Sequence, residues 1–272
     1  MLAGLVGHTG FVGGNLARQR AYDLKVNRAT VAAIDGQRFT RLVISAAPGV
    51  KWRANADPDA DRAAIDALTS HLRTTTADEA VLISTIDVYQ QPQGVDEATS
   101  VEPADHPQAY GRNRIRLEQF VQWHYPRSLV VRLPALFGPD LRKNLVYDLA
   151  TGRTEEFCHR DSTFQFYDLR RLTADLDRAV AAGLSVVNLA TEPIAAQTVA
   201  QQVFGRTLTC DTVARVDYDM RTRHAAVFGA DGPYVSGRDE TITRLREFAE
   251  DRAAGARPAG EGVRPVGERV AV

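Results

Sequence analysis

Short apolar runs alternate with amphipathic stretches along the first half of the chain. Between the apolar runs, Ile65, Leu68 and Leu72 at helical spacing predict a helix over 57–72, and a second, long helix is predicted over 109–124. Continuous apolar strands separated by helices are typical of a parallel sheet that is covered on both faces. The apolar runs themselves are residues 2–6, 41–46, 80–84 and 129–133. The pattern therefore predicts an α/β fold with a doubly wound parallel sheet.

The second strand of this sheet has two possible positions. It lies either at residues 22–27, followed by a helix over 29–38, or at residues 30–35 with Asp35 at its end. A parallel crossover needs about a dozen residues. The first position leaves 13 residues before the next strand and the second leaves five. We favour the first position, which leaves room for one short helix.

The elements become shorter after Gly138 and Pro139. They predict a smaller mixed α/β lobe, with helices over 145–150, 169–182, 198–204 and 239–251, a pair of small strands within 155–167 and a strand at 185–189. We expect a sheet domain over residues 1–140 and a lobe over 141–250 that is interleaved with the sheet. Residues 251–272 contain four Gly, two Pro and no aromatic residue, and this composition predicts a disordered tail. Residues 206–238 support no assignment.

Composition excludes several classes of protein. Of the 272 residues, 44% are hydrophobic and 25% are charged, and the formal net charge is −1. These are ordinary values for a globular chain, and the charge gives no electrostatic reason to expect nucleic acid or a membrane as partner. No apolar run is long enough to span a bilayer, and the first residues lack the basic region of a signal peptide. Two Cys and six His lack metal-ligand spacing. We expect a cytoplasmic protein without a bound metal.

A glycine-rich turn follows the first apolar run and opens a helical pattern. Gly7, Gly10 and Gly13 are spaced by two residues each. In a strand–turn–helix unit, the first glycine permits the tight turn, the second lets a pyrophosphate approach the backbone, and the third permits close helix packing. The helix N-terminus attracts the phosphate charge. The turn therefore indicates a dinucleotide site.

This spacing, together with Thr9 and Phe11, resembles the extended short-chain dehydrogenase/reductase family, in its nucleotide-sugar epimerase/dehydratase group. The resemblance covers residues 1 to about 205 and implies a Rossmann-type sheet. Further segments resemble the family in its own order: Ala46-Ala47, Ser84–Tyr89, Tyr110–Arg114, Arg132–Pro139, Phe166–Leu169 and Val187–Leu189.

The resemblance implies a catalytic set of Tyr110, Thr85 and Arg114. A tyrosine, with an unperturbed pKa near 10, needs help to act as acid or base near neutral pH. A cation four residues later on the same helix face stabilises the phenolate. The family has lysine at that position, whereas this chain has Arg114. We expect Tyr110 to be the acid/base and Thr85 to position the substrate oxygen.

Three departures from the family affect the function that is implied. Arg114 keeps the charge of lysine but has a different shape. Three interpretations are open: an active enzyme, a slow enzyme, or a binding-only sensor or scaffold. We favour the active enzyme. Ile86 replaces the acid of the 4,6-dehydratases, which disfavours that reaction. Ala135 replaces an asparagine found in many members.

The resemblance also implies the ligands. We expect an NAD(P)-dependent reductase or epimerase that acts on a sugar nucleotide or a similar polyol or carbonyl compound. Arg28 after the second strand slightly favours NADP over NAD, whereas Asp35 at a strand end would favour NAD. By analogy the helices over 57–72 and 109–124 would form a homodimer. The cofactor-binding set is Gly7, Thr9, Gly10, Phe11, Val12, Gly13, Arg28, Ala46, Ala47 and Pro134, and the substrate-binding set is Trp52, Asp87, Lys143 and Asn144.

Overall fold

A computed structural model describes residues 2–153 and 158–255. The first elements are β1 (Ala3–Val6), α1 (Phe11–Gln19), β2 (Leu24–Val26), β3 (Arg38–Ile44), α2 (Lys51–Ala56), α3 (Pro58–Leu72), β4 (Thr76–Thr85), β5 (Gln93–Val95), α4 (Ala109–His124) and β6 (Ser128–Leu133). The later elements are β7 (Ala135–Phe137), α5 (Leu145–Thr151), β8 (Thr163–Phe164), β9 (Phe166–Asp168), α6 (Leu172–Ala181), β10 (Val186–Asn188), β11 (Ile194–Ala195), α7 (Ala196–Phe204), β12 (Asp219–Met220) and α8 (Arg238–Gly255).

Six parallel strands form the central sheet, in the order β10-β6-β4-β3-β1-β2. Successive residues of a strand point to opposite faces, so Val43 packs with α1 and α6 on one face while Leu42 packs with α3 and α4 on the other. Both faces are therefore buried under helices. This confirms the predicted Rossmann-type, doubly wound sheet.

The connection from β2 to β3 differs from its prediction. β2 lies within the favoured range 22–27, so the alternative strand at 30–35 is wrong. The helix predicted over 29–38 is also wrong, because only a single 3₁₀ turn forms at Val31–Ile34 and β3 already begins at Arg38. Ile34 from this turn is buried against the sheet in the place of a full helix.

The smaller lobe packs around its own apolar core, to which α5, α7 and α8 each contribute. The two small strands predicted within 155–167 are β8 and β9, but each pairs with another strand, β8 with β11 and β9 with β7. Residues 155–157 lie outside the described residues. The strand predicted at 185–189 is β10, which joins the central sheet and interleaves the lobe with it.

The last helix enters the segment whose composition predicts a disordered tail. α8 continues to Gly255, so the tail prediction fails for residues 251–255, and residues 256–272 lie outside the described part of the chain. Within the described residues, no helix has the length and apolar character needed to cross a membrane. The same residues contain no group of His, Cys, Asp and Glu that could hold a metal ion.

We predict that the glycine turn tolerates substitution much less well than an ordinary left-handed turn. Gly7 has φ +94°, and an added Cβ would lie 2.2 Å from the Ser45 carbonyl oxygen; Gly36 has φ +72° with no atom within 4 Å. Gly36→Ala should therefore lose about 1–2 kcal/mol of unfolding free energy from backbone strain alone. Gly7→Ala should lose clearly more unfolding free energy, because the added Cβ would overlap the Ser45 carbonyl oxygen and the ends of β1 and β3 would have to move apart. Urea unfolding measures both variants, and equal losses would contradict this prediction.

Candidate active site

A cavity of about 1120 Å³ opens where the central strands end and the lobe begins. Typical small-molecule sites measure about 300–1,000 Å³, so this cavity can hold a large ligand or two ligands side by side. Its position beyond the carboxyl ends of parallel strands is the usual binding position in such sheets. The sequence-predicted residues that line it are Thr9, Gly10, Phe11, Val12, Ala47, Thr85, Asp87, Tyr110, Arg114, Pro134, Lys143 and Asn144.

The glycine turn forms one wall of the cavity, and its three glycines have different roles. An added Cβ on Gly13 would lie only 2.1 Å from the Gly7 carbonyl oxygen. The absence of side chains at Gly7 and Gly13 therefore lets α1 pack directly on the turn, behind the cavity wall. Gly10 differs, because its added Cβ would meet nothing closer than 3.3 Å and its φ of −74° suits any residue. The packing of the turn therefore demands glycine less strictly at position 10 than at positions 7 and 13, whereas a ligand lying on the backbone would demand it there.

The N-terminus of α1 is also open to an anion. Gly10 precedes the first turn and provides no side chain to cap it. The first backbone N–H groups of a helix have no partner within the helix, and together with the helix dipole they attract negative charge. The open position above Gly10 and the uncapped N–H groups thus suit a pyrophosphate.

Tyr110 lies in the first turn of α4, where the side chain of Asn55 accepts a 3.0 Å hydrogen bond from its backbone N–H. Arg114, one helical turn later, places its guanidinium carbon 4.1 Å from the centre of the Tyr110 ring. The predicted pair of tyrosine and cation is therefore in contact inside the cavity.

A buried carboxylate on α3 fixes the orientation of Arg114. Its Nη1 lies 2.6 Å from Asp61 Oδ2 and its Nη2 lies 3.0 Å from Asp61 Oδ1, and Nη2 also donates to the Pro48 carbonyl. Both charged side chains are only 3% exposed. Arg114 Nε is buried and has no hydrogen-bond partner among the described residues.

Burial determines the ionisation of Tyr110. Loss of solvent raises the pKa of this phenol, and the negative charge of Asp87 adds to the rise. The charge of Arg114, with hydrogen bonds from Arg114 and Thr85, lowers the pKa but does not cancel the rise. The ligand-free protein therefore holds Tyr110 as the neutral phenol at neutral pH, which can donate a proton.

Thr85, at the end of β4, connects Tyr110 to a second polar group. Its Oγ1 accepts a 3.1 Å hydrogen bond from the Asp87 backbone N–H and lies 3.3 Å from Asp87 Oδ2. Lys51, the first residue of α2, places Nζ 2.7 Å from Asp87 Oδ1. Lys51 and Asp87 both line the cavity, so an ion pair lies beside the tyrosine.

A buried polar network under the cavity holds the ends of β4 and β6 against α4. Arg132 on β6 donates to both oxygens of Glu118 on α4, with its Nη2 2.7 Å from Oε2. Ser84 also donates to Glu118, and Arg132 Nη1 donates to the Tyr89 hydroxyl over 2.8 Å. Asn188 on β10 donates to the same hydroxyl. This network fixes the residue before Thr85 relative to the helix that carries Tyr110.

The structure does not bring every predicted residue to the cavity. Trp52 is 46% exposed and does not line the cavity, so the structure gives no support to its prediction as a substrate residue. Ala46 packs into the core behind the wall. Arg28 is exposed beyond the end of β2 and does not line the cavity either. Asp35 does not lie at the end of a strand, and its Oδ1 is 2.8 Å from His71 Nδ1. The argument that an acid at a strand end favours NAD therefore does not apply to Asp35.

Two further predicted residues line the cavity but already have structural contacts. Asn144 caps α5 by accepting a 3.2 Å hydrogen bond from the Tyr147 backbone N–H, and its amide donates to the Leu136 carbonyl. Lys143 Nζ lies 2.6 Å from the Gly49 carbonyl oxygen, which links the lobe to the sheet side of the cavity.

Sequence reasoning missed several groups of the site. No sequence motif predicts Asp61. The one available signal is Arg114 itself, because a guanidinium in place of the lysine pairs well with a planar carboxylate. On the lobe side, Asp148 lines the cavity, and burial raises the pKa of its carboxyl to about 6. Tyr218 and Val216, from the unassigned stretch 206–238, line it as well. No local pattern could have predicted these contacts, because they depend on how the lobe folds back.

The fold is shared with solved structures of nucleotide-sugar enzymes. dTDP-4-dehydrorhamnose reductase from Bacillus anthracis, solved with NADP, is 16% identical with a TM-score of 0.71, and the match covers 92% of this chain and 99% of that chain. UDP-N-acetylglucosamine 4-epimerase from Methanobrevibacter ruminantium, solved with UDP-N-acetylmuramic acid, is 11% identical with a TM-score of 0.73, covering 94% and 99%. A UDP-galactose 4-epimerase is 17% identical with a TM-score of 0.70, covering 93% and 99%.

No protein-family model and no curated protein sequence matches the chain. At the identities found, the likeness to the solved structures establishes the Rossmann-type fold.

We predict that Asp61 is essential for stability. Asp61→Ala would leave the Arg114 charge buried without a partner, a change that typically loses about 3–5 kcal/mol. Asp66 on the same helix pairs with Arg62 at the surface, where an ion pair contributes about 0–1 kcal/mol, so Asp66→Ala is the matched control. Urea unfolding of both variants measures the difference. Similar small losses would show that the Asp61–Arg114 pair does not hold α3 to α4.

Proposed function

We propose that this chain is an NAD(P)-dependent reductase or epimerase of a sugar nucleotide or a similar carbonyl compound. The observation that carries the proposal is the Arg114 guanidinium over the Tyr110 ring, in a cavity that is also lined by Thr85 and by the open glycine turn. Similarity in fold to nucleotide-sugar reductases and epimerases supports the same reaction class.

The residues of this chain fit a nicotinamide dinucleotide. Gly10 and the first N–H groups of α1 would hold its pyrophosphate. Arg114 Nε, buried without a partner, would hold an oxygen at the reactive end, where the lysine of the resembled family acts. When bound, the nicotinamide supplies or accepts the hydride. We propose no preference between NAD and NADP, because Arg28 lies outside the cavity lining.

Tyr110 and Thr85 would perform the proton chemistry. The neutral phenol of Tyr110 donates a proton to the substrate oxygen as the carbonyl is reduced, and Thr85 orients that oxygen. The positive charge of Arg114 stabilises the phenolate that remains. Ile86 occupies the position of the dehydratase acid and cannot donate a proton, so elimination of water is not part of the proposal. A homodimer and a cytoplasmic location stay predictions.

A test of the acid role is Tyr110→Phe. With dTDP-4-dehydrorhamnose and NADPH, or with UDP-galactose and NAD, the wild-type chain should convert at least one probe. Loss of a positioned acid should lower kcat by about 10²–10⁴-fold. NADPH binding, followed by fluorescence, should change little. An unchanged kcat in the variant would contradict the acid role of Tyr110.

A test of the glycine cradle is Gly10→Val. An added Cβ at Gly10 would lie 3.3 Å from the Gly7 carbonyl oxygen, and valine is a poorer N-cap than glycine, so we expect the protein to stay folded and to lose about 1–2 kcal/mol of unfolding free energy. Affinity for NADPH should fall at least tenfold, because the side chain would occupy the place of the pyrophosphate. Gly237→Val is the matched control, since Gly237 also directly precedes a helix, an added Cβ there would meet only Glu192 Oε2 at 3.7 Å, and the residue does not line the cavity. Equal affinity in all three proteins would exclude the proposed cradle.

The second candidate is a binding-only sensor of the same fold. The observation that favours it is that both Arg114 Nη groups are engaged by Asp61 and Pro48. It predicts tight NADPH binding without turnover of any carbonyl probe. Measured hydride transfer that depends on Tyr110 would exclude it.

A further inference from the structure

We infer that Asn55 on α2 is a positioning residue for Tyr110, an inference that rests on the proposed function and adds a residue to it. Asn55 is half-buried and does not line the cavity, so it touches neither ligand. It acts through the backbone of Tyr110, by capping the helix α4 from outside that helix.

The first turn of α4 has no cap of its own. Gln108 precedes the helix in an extended conformation, and its side chain forms no capping hydrogen bond. The helices α3 and α5 differ, because the residues at the same position, Asp57 and Asn144, each accept a backbone N–H of the helix that follows. The first N–H groups of any helix lack a partner within the helix. The start of α4 therefore depends on a group from another part of the chain.

Asn55 provides that group. Its Oδ1 accepts a 3.0 Å hydrogen bond from the backbone N–H of Tyr110, the second residue of α4. Capping side chains normally bind the N–H of the second or third helical residue, and asparagine is among the preferred capping residues. The contact therefore has the chemistry of an ordinary cap, although Asn55 lies 55 residues before Tyr110 in the sequence. The capped residue is the one that carries the phenol.

The short helix α2 keeps Asn55 in place. Lys51 lies four residues earlier on the same face of α2, and its Nζ is 2.7 Å from Asp87 Oδ1. Ala54 on this helix is buried. At the other end, Asp57 is both the residue that ends α2 and the residue that caps α3. Both ends of α2 are thus attached to the structure around the cavity, which gives Asn55 a fixed position.

Close packing restrains the residue after Tyr110 as well. An added Cβ on Gly111 would lie 2.3 Å from His106 Nε2 and 2.5 Å from the Asp87 carbonyl oxygen. His106 is itself buried, and its Nδ1 lies 3.0 Å from the Gln108 carbonyl oxygen. The hydrogen bond at Tyr110 and the packing at Gly111 together fix the first turn of α4.

The Arg114–Asp61 pair does not replace the contact with Asn55. That pair holds α4 one turn later and acts through the Arg114 side chain. The ends of helices fray more readily than their interiors, and Tyr110 lies in the terminal turn. Without the cap the phenol can move relative to Arg114 and Thr85, and a displacement of about 1 Å can lower a rate by about 100-fold.

The kinetic test compares Asn55→Leu, which has a similar size but no acceptor, with Asn55→Asp, which keeps an acceptor. With the probe that wild type converts, Asn55→Leu should lower kcat by about 10–100-fold, while KM and cofactor affinity stay within about twofold, because Asn55 does not line the cavity. Asn55→Asp should keep kcat within about threefold of wild type, since aspartate and asparagine are equally good caps.

Glu192→Leu is the matched control, because Glu192 also caps a helix from outside it. Its Oε2 accepts a 2.9 Å hydrogen bond from the backbone N–H of Arg238, the first residue of α8, and it does not line the cavity. Loss of this cap should lower the urea midpoint, as Asn55→Leu does, and leave kcat unchanged. Three results would overturn the positioning role: an unchanged kcat in Asn55→Leu, an equal loss of kcat in Glu192→Leu, or an Asn55→Asp variant as slow as Asn55→Leu.

A second measurement needs neither substrate nor cofactor. Exchange of the Tyr110 backbone N–H with deuterated solvent, followed by NMR of the ¹⁵N-labelled chain, should become about tenfold faster in Asn55→Leu, because local opening of the first turn is easier without the cap. Asn55→Asp and Glu192→Leu should exchange like wild type. Equal exchange in all four proteins would show that Asn55 does not hold Tyr110. A wild-type chain that converts no probe would instead remove the proposed function, and the exchange rates would still decide whether Asn55 holds Tyr110.

Discussion

The buried ion pair between Arg114 and Asp61 is the interaction on which the site depends. Two charges that are each 3% exposed are stable only when they pair with each other, so α3 and α4 must keep a fixed relative position. Asn113 adds a 2.8 Å hydrogen bond to the same carboxylate. The pair therefore fixes the helix face that presents Tyr110 to the cavity, and the guanidinium lies over the Tyr110 ring.

The shape of arginine explains the contacts around it. A guanidinium presents a planar fork that needs two acceptors in its plane, and Asp61 with the Pro48 carbonyl provides them. A lysine at this position would leave one carboxylate oxygen unmatched. The remaining Nε is the only nitrogen of Arg114 that stays without a partner among the described residues. A structural ion pair and a ligand contact can therefore coexist in one side chain.

Strong local patterns predicted the sheet and the helix α4 closely. The helix predicted over 109–124 agrees with α4 in both of its bounds. The helix predicted over 29–38 failed, because β3 begins earlier than its apolar residues suggest and leaves only a turn that ends at Ile34.

Site residues that belong to sequence motifs were predicted, and site residues that only tertiary packing brings to the cavity were not. Gly10 follows from the spacing of the glycines, and Thr85 and Tyr110 follow from the family resemblance. Asp61 is 53 residues distant from Arg114 in sequence, and only the packing of two helices joins them. Trp52 is next to the cavity residue Lys51 in sequence but does not line the cavity. Neighbouring residues of a helix point in different directions, so closeness in sequence does not predict a shared site.

The most direct test of this account is a crystal structure of the full chain soaked with NADPH. The account predicts electron density for the dinucleotide in the cavity, with its diphosphate over Gly10 and its nicotinamide end beside Tyr110 and Arg114, while the Arg114–Asp61 pair stays intact. A dinucleotide bound elsewhere, or an Arg114 that leaves Asp61 to reach it, would contradict the account.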